Sequence, residues 1–260
     1  MSWIEALILG IIQGFTEFLP VSSSGHLEIG SVLLDVQGSD NLLFAVTVHL
    51  ATALATIVVF KDDIIRLIKD LFQFKWNQST QFVAKILLSM IPVFVAGVFL
   101  KDQIEQLFVG NLILVGSMLL ITGALLLFTH FKKDGQKQVG YIGAILIGLS
   151  QAFAVLPGIS RSGSTIATAL ILGVERTQAA RFSFLMVLIP ILGASFLELL
   201  EYSENTAAQT IGSSALLIGF IAAFISGFIA CKWMIRIVRK GKLTYFAIYC
   251  FIIGLIAILA

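Results

Sequence analysis

Apolar residues in this chain come in long runs, not in one-sided stripes. Runs of this kind cover roughly 42–60, 84–100, 110–129, 181–198, 213–231 and 244–260. Each approaches the ~20 residues that a helix needs to cross a bilayer's hydrocarbon core. Two further apolar regions are interrupted. Residues 1–34 break at Pro20-Val21-Ser22-Ser23-Ser24-Gly25, and residues 139–173 break at Pro157-Gly158-Ile159-Ser160-Arg161-Ser162-Gly163. The pieces on either side are mostly short for a crossing. Backbone can leave the helix at membrane depth only where protein or a wet cavity satisfies its amides. The pattern predicts an all-α integral membrane protein, with six transmembrane helices plus two re-entrant helical hairpins.

Composition narrows the class. Of 260 residues, 58% are hydrophobic and 12% charged, about half the ~25% charged residues of a soluble domain. That excludes a soluble globular enzyme and a disordered chain. No basic stripe is present to meet nucleic acid. Cys231 and Cys250 both sit in apolar runs, so no disulfide framework is expected. The start, Met1-Ser2-Trp3-Ile4-Glu5, lacks the basic region of a cleaved signal peptide.

Charge sets the orientation. Fifteen of the 17 Lys and Arg fall in four segments: Lys61 to Lys85, Lys132 to Lys137, Arg176 with Arg181, and Lys232 to Lys242. Acidic positions such as Asp35, Asp102 with Glu105, and Glu198 lie between them. Placing the basic segments in the cytoplasm gives one consistent path. The first hairpin starts and ends outside, the second starts and ends inside, and both termini are outside. The two halves, 1–131 and 138–260, then form an inverted-topology repeat within a single functional domain. An ungapped match of Gln13–Gly25 onto Gln151–Gly163 supports the repeat. In such folds the breaks meet near the midplane and build the site.

Two basic residues escape these segments. Lys101 ends a run, where snorkelling explains it. Arg161 lies inside the second break, where an arginine costs about 2.5–3.5 kcal/mol even on a lenient scale. Pairing with Glu17 would offset that cost; the functional reading is an anion site. Ser160 is a natural N-cap there, and the free amides of a helix start attract phosphate. Arg161 and Thr165 share a helix face. From the first hairpin come Gln13 and Glu17, spaced i,i+4, then Ser23 and His26, whose spacing permits a hydroxyl–imidazole hydrogen bond. His49, Thr47, Thr52 and Thr56 are expected to make interhelical hydrogen bonds, and His130 to sit at an interface. Gly10 and Gly14 form a GxxxG that packs the re-entrant helix or, alternatively, joins a homodimer.

The segment Gln13 to His26 and the segment Pro157 to Thr165 resemble the two motifs of the bacitracin-resistance type undecaprenyl-diphosphatases. The resemblance covers essentially the whole chain. It implies hydrolysis of undecaprenyl diphosphate to the monophosphate and inorganic phosphate, recycling the carrier lipid of bacterial cell-wall synthesis. It further implies a bacterial cytoplasmic membrane location, an outward-facing site and a divalent cation, Mg²⁺ or Ca²⁺. By position, Glu17, Ser23, His26 and Arg161 are the catalytic residues. Ser160, Arg161, Ser162 and Thr165 bind phosphate, and Glu17 with Gln13 holds the metal. Gln13 stands where many members carry glutamate. Three routes stay open: attack by Ser23 with His26 as base, attack by His26, or water activated by His26. A secondary transporter or flippase of a prenyl phosphate lipid is the alternative, because inverted repeats with broken helices also characterise transporters.

Overall fold

A computed structural model describes residues 1–36, 40–99, 111–132, 134–204 and 212–259. Lys101, Asp102 and Glu105 lie outside the described residues. Helices α1 (Trp3–Phe18) and α2 (Ser23–Leu33) form the first hairpin, followed by α3 (Asp40–Val59), α4 (Lys61–Leu71), α5 (Gln78–Phe99) and α6 (Leu112–His130). The second hairpin is α7 (Tyr141–Phe153) and α8 (Arg161–Ile171). After it come α9 (Arg176–Met186), α10 (Leu188–Glu204), α11 (Ser213–Arg239) and α12 (Thr244–Leu259). Beyond the helices, the described residues hold one isolated bridge, between Lys137 and Val174.

Each expected crossing coincides with helix, with differences at the ends. Among the described residues, α5, α6, α11 and the stretch Arg176–Glu198 are each long and apolar enough to cross a bilayer. The α3–α4 pair makes a fifth candidate, bent by 75°. Helix α12, at 16 residues, rises only about 24 Å. The expected span 181–198 starts earlier and breaks at Val187. Pro190 explains the break: it has no N–H to donate back to Met186, and regular bonding resumes at Ile191, which donates to the Val187 carbonyl at 3.1 Å.

Helix α4 replaces what reads as a basic loop. Its charges, Lys61, Arg66 and Lys69, alternate with Ile64, Ile65, Leu67, Ile68 and Leu71 at helical spacing. Asp62 and Asp63 favour a new helix start just past the bend.

The four basic segments gather at one end. Arg181 pairs with Asp63 at 2.8 Å and lies over the Phe82 ring. Arg176 donates from Nε to Asp134 at 2.7 Å, and its guanidinium lies against Gly241. Lys85 sits over Tyr141. The starts of α1, α3 and α11 meet at the opposite end, where Ala6, Leu9, Phe44 and Ala215 pack together.

Small residues let the helices approach closely. A Cβ on Gly14 would fall 2.6 Å from the Ala223 carbonyl oxygen, so the Gly10–Gly14 stripe is occupied by α11 of the same copy. Along that contact α1 and α11 run parallel, and α7 runs parallel to α5, with Lys85 over Tyr141, Ser89 against Gly148 and Met90 beside Gln151. In the first hairpin Gly30 returns to Leu9, and in the second Gly143 lies near Leu172. The hairpins therefore enter from opposite ends and touch tip to tip: Ser162 Oγ donates to the Leu19 carbonyl at 3.2 Å.

Candidate active site

The first tip is built by a forced reversal. Pro20 pushes Leu19 into extended backbone (ψ 143°), ending α1. Ser22 then adopts the left-handed region (φ 71°) and caps α2 by accepting from the Gly25 amide at 3.3 Å. This turn folds Ser23 back over the last turn of α1. Its hydroxyl donates to Glu17 Oε2 at 2.8 Å, and Gln13 Nε2 donates to the same oxygen at 3.0 Å.

The second tip turns at Gly158, whose φ of +93° and 2.4 Å approach of a Cβ to the Val115 carbonyl exclude any side chain. Ser160 caps α8 by accepting from the Gly163 amide at 3.1 Å, and its own amide donates to Thr122 Oγ1 at 3.0 Å. Arg161, the first residue of α8, thereby reaches across the junction and pairs through Nη2 with Glu17 Oε1. Glu17 is 6% exposed and Gln13 is fully buried.

A cavity of about 330 Å³ opens from this pair. Glu17, Ser23, His49, Gln151 and Arg161 line one part, and Val187, Pro190, Ile191 and Ala194 give it an apolar wall. Three buried polar atoms of this region make no hydrogen bond within the structure: Arg161 Nη1, Gln13 Oε1 and Gln151 Oε1. A buried donor left bare costs about 1–3 kcal/mol, and more when charged. Arg161 Nη1 is thus a buried cationic donor without a hydrogen-bond partner.

The structure brings Gln13, Glu17, Ser23 and Arg161 together and places other expected residues elsewhere. His26 makes no bond to Ser23. Its Nδ1 lies 2.8 Å from the Ser22 carbonyl, its Nε2 lies 2.8 Å from the Tyr249 hydroxyl, and its ring stacks on Tyr249. The i,i+3 spacing permits a contact that the left-handed Ser22 turn redirects to backbone. Ser160, Ser162 and Thr165 are buried and engaged within the protein. Ser160 caps, Ser162 ties the two tips, and Thr165 bonds Ser183 and the Arg161 carbonyl. The hydroxyls of α3 bond within their own helix, not between helices: Thr47 to Leu43, Thr52 to His49 and Thr56 to Thr52. His49 lines the cavity with Nε2 3.8 Å from Glu17 Oε2. A histidine in the middle of an apolar run is a functional candidate by default, and that was the available signal.

The donor set does not fit a resident divalent cation. Among the described residues no three His, Cys, Asp or Glu gather around one point. Both Glu17 oxygens already accept from N–H or O–H donors, with a guanidinium beside one of them. The unspent oxygens are two neutral amide carbonyls, Gln13 Oε1 and Gln151 Oε1.

Fold and site together define a polytopic membrane protein with a buried acid, flanked by a half-buried hydroxyl and guanidinium, where two re-entrant hairpins meet. The sequence profile described as bacitracin resistance protein BacA matches residues 6–256, and the chain belongs to that family. It is 54% identical over 260 residues to the undecaprenyl-diphosphatase of Parabacteroides distasonis, covering 99% of this chain and 98% of the relative. It is 53% identical to that of Bacteroides fragilis, with the same coverage. With the undecaprenyl-diphosphatase of Carboxydothermus hydrogenoformans it shares 40% over 258 residues, covering 98% of this chain and 95% of the relative.

Proposed function

We propose that this protein hydrolyses undecaprenyl diphosphate to undecaprenyl phosphate and inorganic phosphate at the hairpin junction. The observation that carries this reading is the Ser23 hydroxyl donating to Glu17 in a cavity that Arg161, with one guanidinium nitrogen unpaired, also lines. A hydroxyl bonded to a buried carboxylate is a nucleophile with its base in place. The names and close identity of the relatives support the same substrate.

In this mechanism the prenyl tail stays in the membrane and the diphosphate enters the cavity. Arg161 takes the terminal phosphate through Nη1 and stabilises its charge in the transition state. Ser23 Oγ attacks the terminal phosphorus as its proton passes to Glu17 Oε2. The bond from phosphorus to the bridging oxygen breaks, and prenyl monophosphate leaves. Glu17 then gives up that proton to the cavity water and, as base, takes one from the water that attacks phosphoserine; it returns this proton to Ser23 Oγ as the phosphorus–Oγ bond breaks, restoring the hydroxyl and releasing inorganic phosphate. Ser160, Ser162 and Thr165 hold the shape of the α8 start, and His26 holds the Ser22 turn. A divalent cation, Mg²⁺ or Ca²⁺, belongs in this reading to the diphosphate it accompanies and not to a site on the protein.

The protein is a multi-pass membrane protein. We place the basic end in the cytoplasm of a bacterial cell, both termini and the site opening on the outer side, and residues 1–131 and 138–260 as inverted repeats. The parallel pairs α1–α11 and α7–α5 support that pairing of halves. Phosphate release from undecaprenyl diphosphate by purified protein tests the function. Absence of release, with retained Arg161-dependent lipid binding, would favour lipid transport instead.

A further inference from the structure

His49 belongs to α3, which neither motif includes. Its Nδ1 lies 2.8 Å from the Ala45 carbonyl, one turn back on the same helix. That bond requires Nδ1 to carry the proton, and it fixes the ring so that Nε2 faces the cavity. Nε2 lies 3.8 Å from Glu17 Oε2, beyond hydrogen-bond reach. Among the described residues it makes no hydrogen bond, and the side chain keeps 32% exposure in an otherwise closed region. Arg161 and Gln151 line the same cavity, and their buried Nη1 and Oε1 make no hydrogen bond. Three residues that each keep a nitrogen or oxygen without a hydrogen bond thus line one cavity, beside the Ser23 nucleophile. Helix α3, which carries His49, packs along α11, with Thr52 against Gly227 and Phe44 against Gly219.

We propose that His49 Nε2 is a direct ligand of the substrate's terminal phosphate, completing a hold whose other points are Arg161 Nη1 and the Ser23 hydroxyl. The inference rests on the phosphatase reading and names a further substrate-contacting residue within it. As a bare nitrogen, Nε2 accepts a P–OH proton; as N–H, it donates to a phosphate oxygen. Either way the contact is one hydrogen bond, and no proton need be transferred for it to hold the substrate. Beside the phosphate, the ring also closes the flank of Glu17 that Gln13 and Ser23 leave open.

The test compares His49→Ala, His49→Leu and His49→Gln in purified full-length protein. Two quantities are read: steady-state phosphate release from a prenyl diphosphate, and the Kd of its non-hydrolysable methylene analogue. Loss of one hydrogen bond to a charged group predicts a fall in kcat/KM of about tenfold to a hundredfold for Ala and Leu. A parallel weakening of analogue binding is expected. Gln, which keeps a polar group at similar reach, restores kcat/KM to within about threefold of wild type. A packing role predicts the reverse order, with Leu rescuing and Gln failing, and that order overturns the proposal. Wild-type kinetics and analogue affinity in both Ala and Leu overturn it as well. If Ala does not fold, the Leu and Gln pair decides. Should wild type release no phosphate, the phosphatase reading fails, while the analogue Kd series still tests the His49 contact on its own.

Discussion

Glu17 and Arg161, 144 residues apart, form a buried ion pair where the tips of two opposed hairpins touch. The pair has two jobs that substitution can separate. Removing one partner of a buried pair leaves the other charged and uncompensated, at a cost of about 3–5 kcal/mol. Glu17→Gln and Arg161→Gln should each lower the thermal midpoint in detergent and abolish phosphate release. The double substitution should recover most of the midpoint and none of the turnover. Recovery of turnover in the double variant would show that the pair is structural only.

His26 supports the site from behind. With Nδ1 on the Ser22 carbonyl and Nε2 on Tyr249, it steadies the turn that aims Ser23. His26→Ala should lower kcat by about tenfold or more, as a misplaced nucleophile does, with the analogue Kd nearly unchanged. Tyr249→Phe should show a smaller loss of the same kind. A change in Kd without a change in kcat would place His26 against the phosphate and contradict the geometry.

Cation dependence should follow the lipid. Because the Glu17 oxygens are already taken, lipid-free protein should give no stoichiometric Mg²⁺ or Ca²⁺ binding in calorimetry. Chelation should still suppress phosphate release. Tight binding of the ion by lipid-free protein would mean that Gln13 and Glu17 rearrange into a resident site.

Much of this architecture is legible in the chain because the bilayer makes it so. Apolar run length, the two polar breaks and the sorting of Lys and Arg follow from the cost of polar groups in hydrocarbon. The meeting of Glu17 with Arg161 is legible for the same reason, since neither charge can lie there alone. Less legible are features decided by local backbone and packing. The left-handed Ser22 turn sends His26 to Tyr249, which no spacing rule contains. The burial of Ser160, Ser162 and Thr165 depends on the contact between tips. Helix α4 was hidden by reading its charges as topology markers, although its amphipathic period was present. His49 looked like one of several polar residues on α3, and only the cavity separates it from Thr47 and Thr52.

The α8–α9 joint offers a pH test. Burial by itself would raise the Glu175 carboxyl. Its hydrogen bonds to the Thr177 and Gln178 amides, with Arg239 nearby, outweigh that and hold it below the usual carboxylate range. A folded-state value that is depressed contributes stability above the unfolded carboxylate value, and that stability disappears as pH falls through the folded value. Glu175→Ala should therefore cost about 0.5–2 kcal/mol near neutral pH. The gap between variant and wild type should close on acidification below about pH 4, followed by thermal unfolding. A gap independent of pH would mean the cap does not act through its charge.

The most direct measurement traps the covalent intermediate. Undecaprenyl diphosphate labelled in its terminal phosphate is mixed with purified protein, quenched in acid within a turnover, and the label mapped by peptide. The mechanism predicts acid-stable phosphate on Ser23, absent in Ser23→Ala, whose turnover falls by a thousandfold or more, on the order seen when a nucleophile is removed. Acid-labile label on a histidine in a parallel alkaline quench, or near-full turnover by Ser23→Ala, would contradict it.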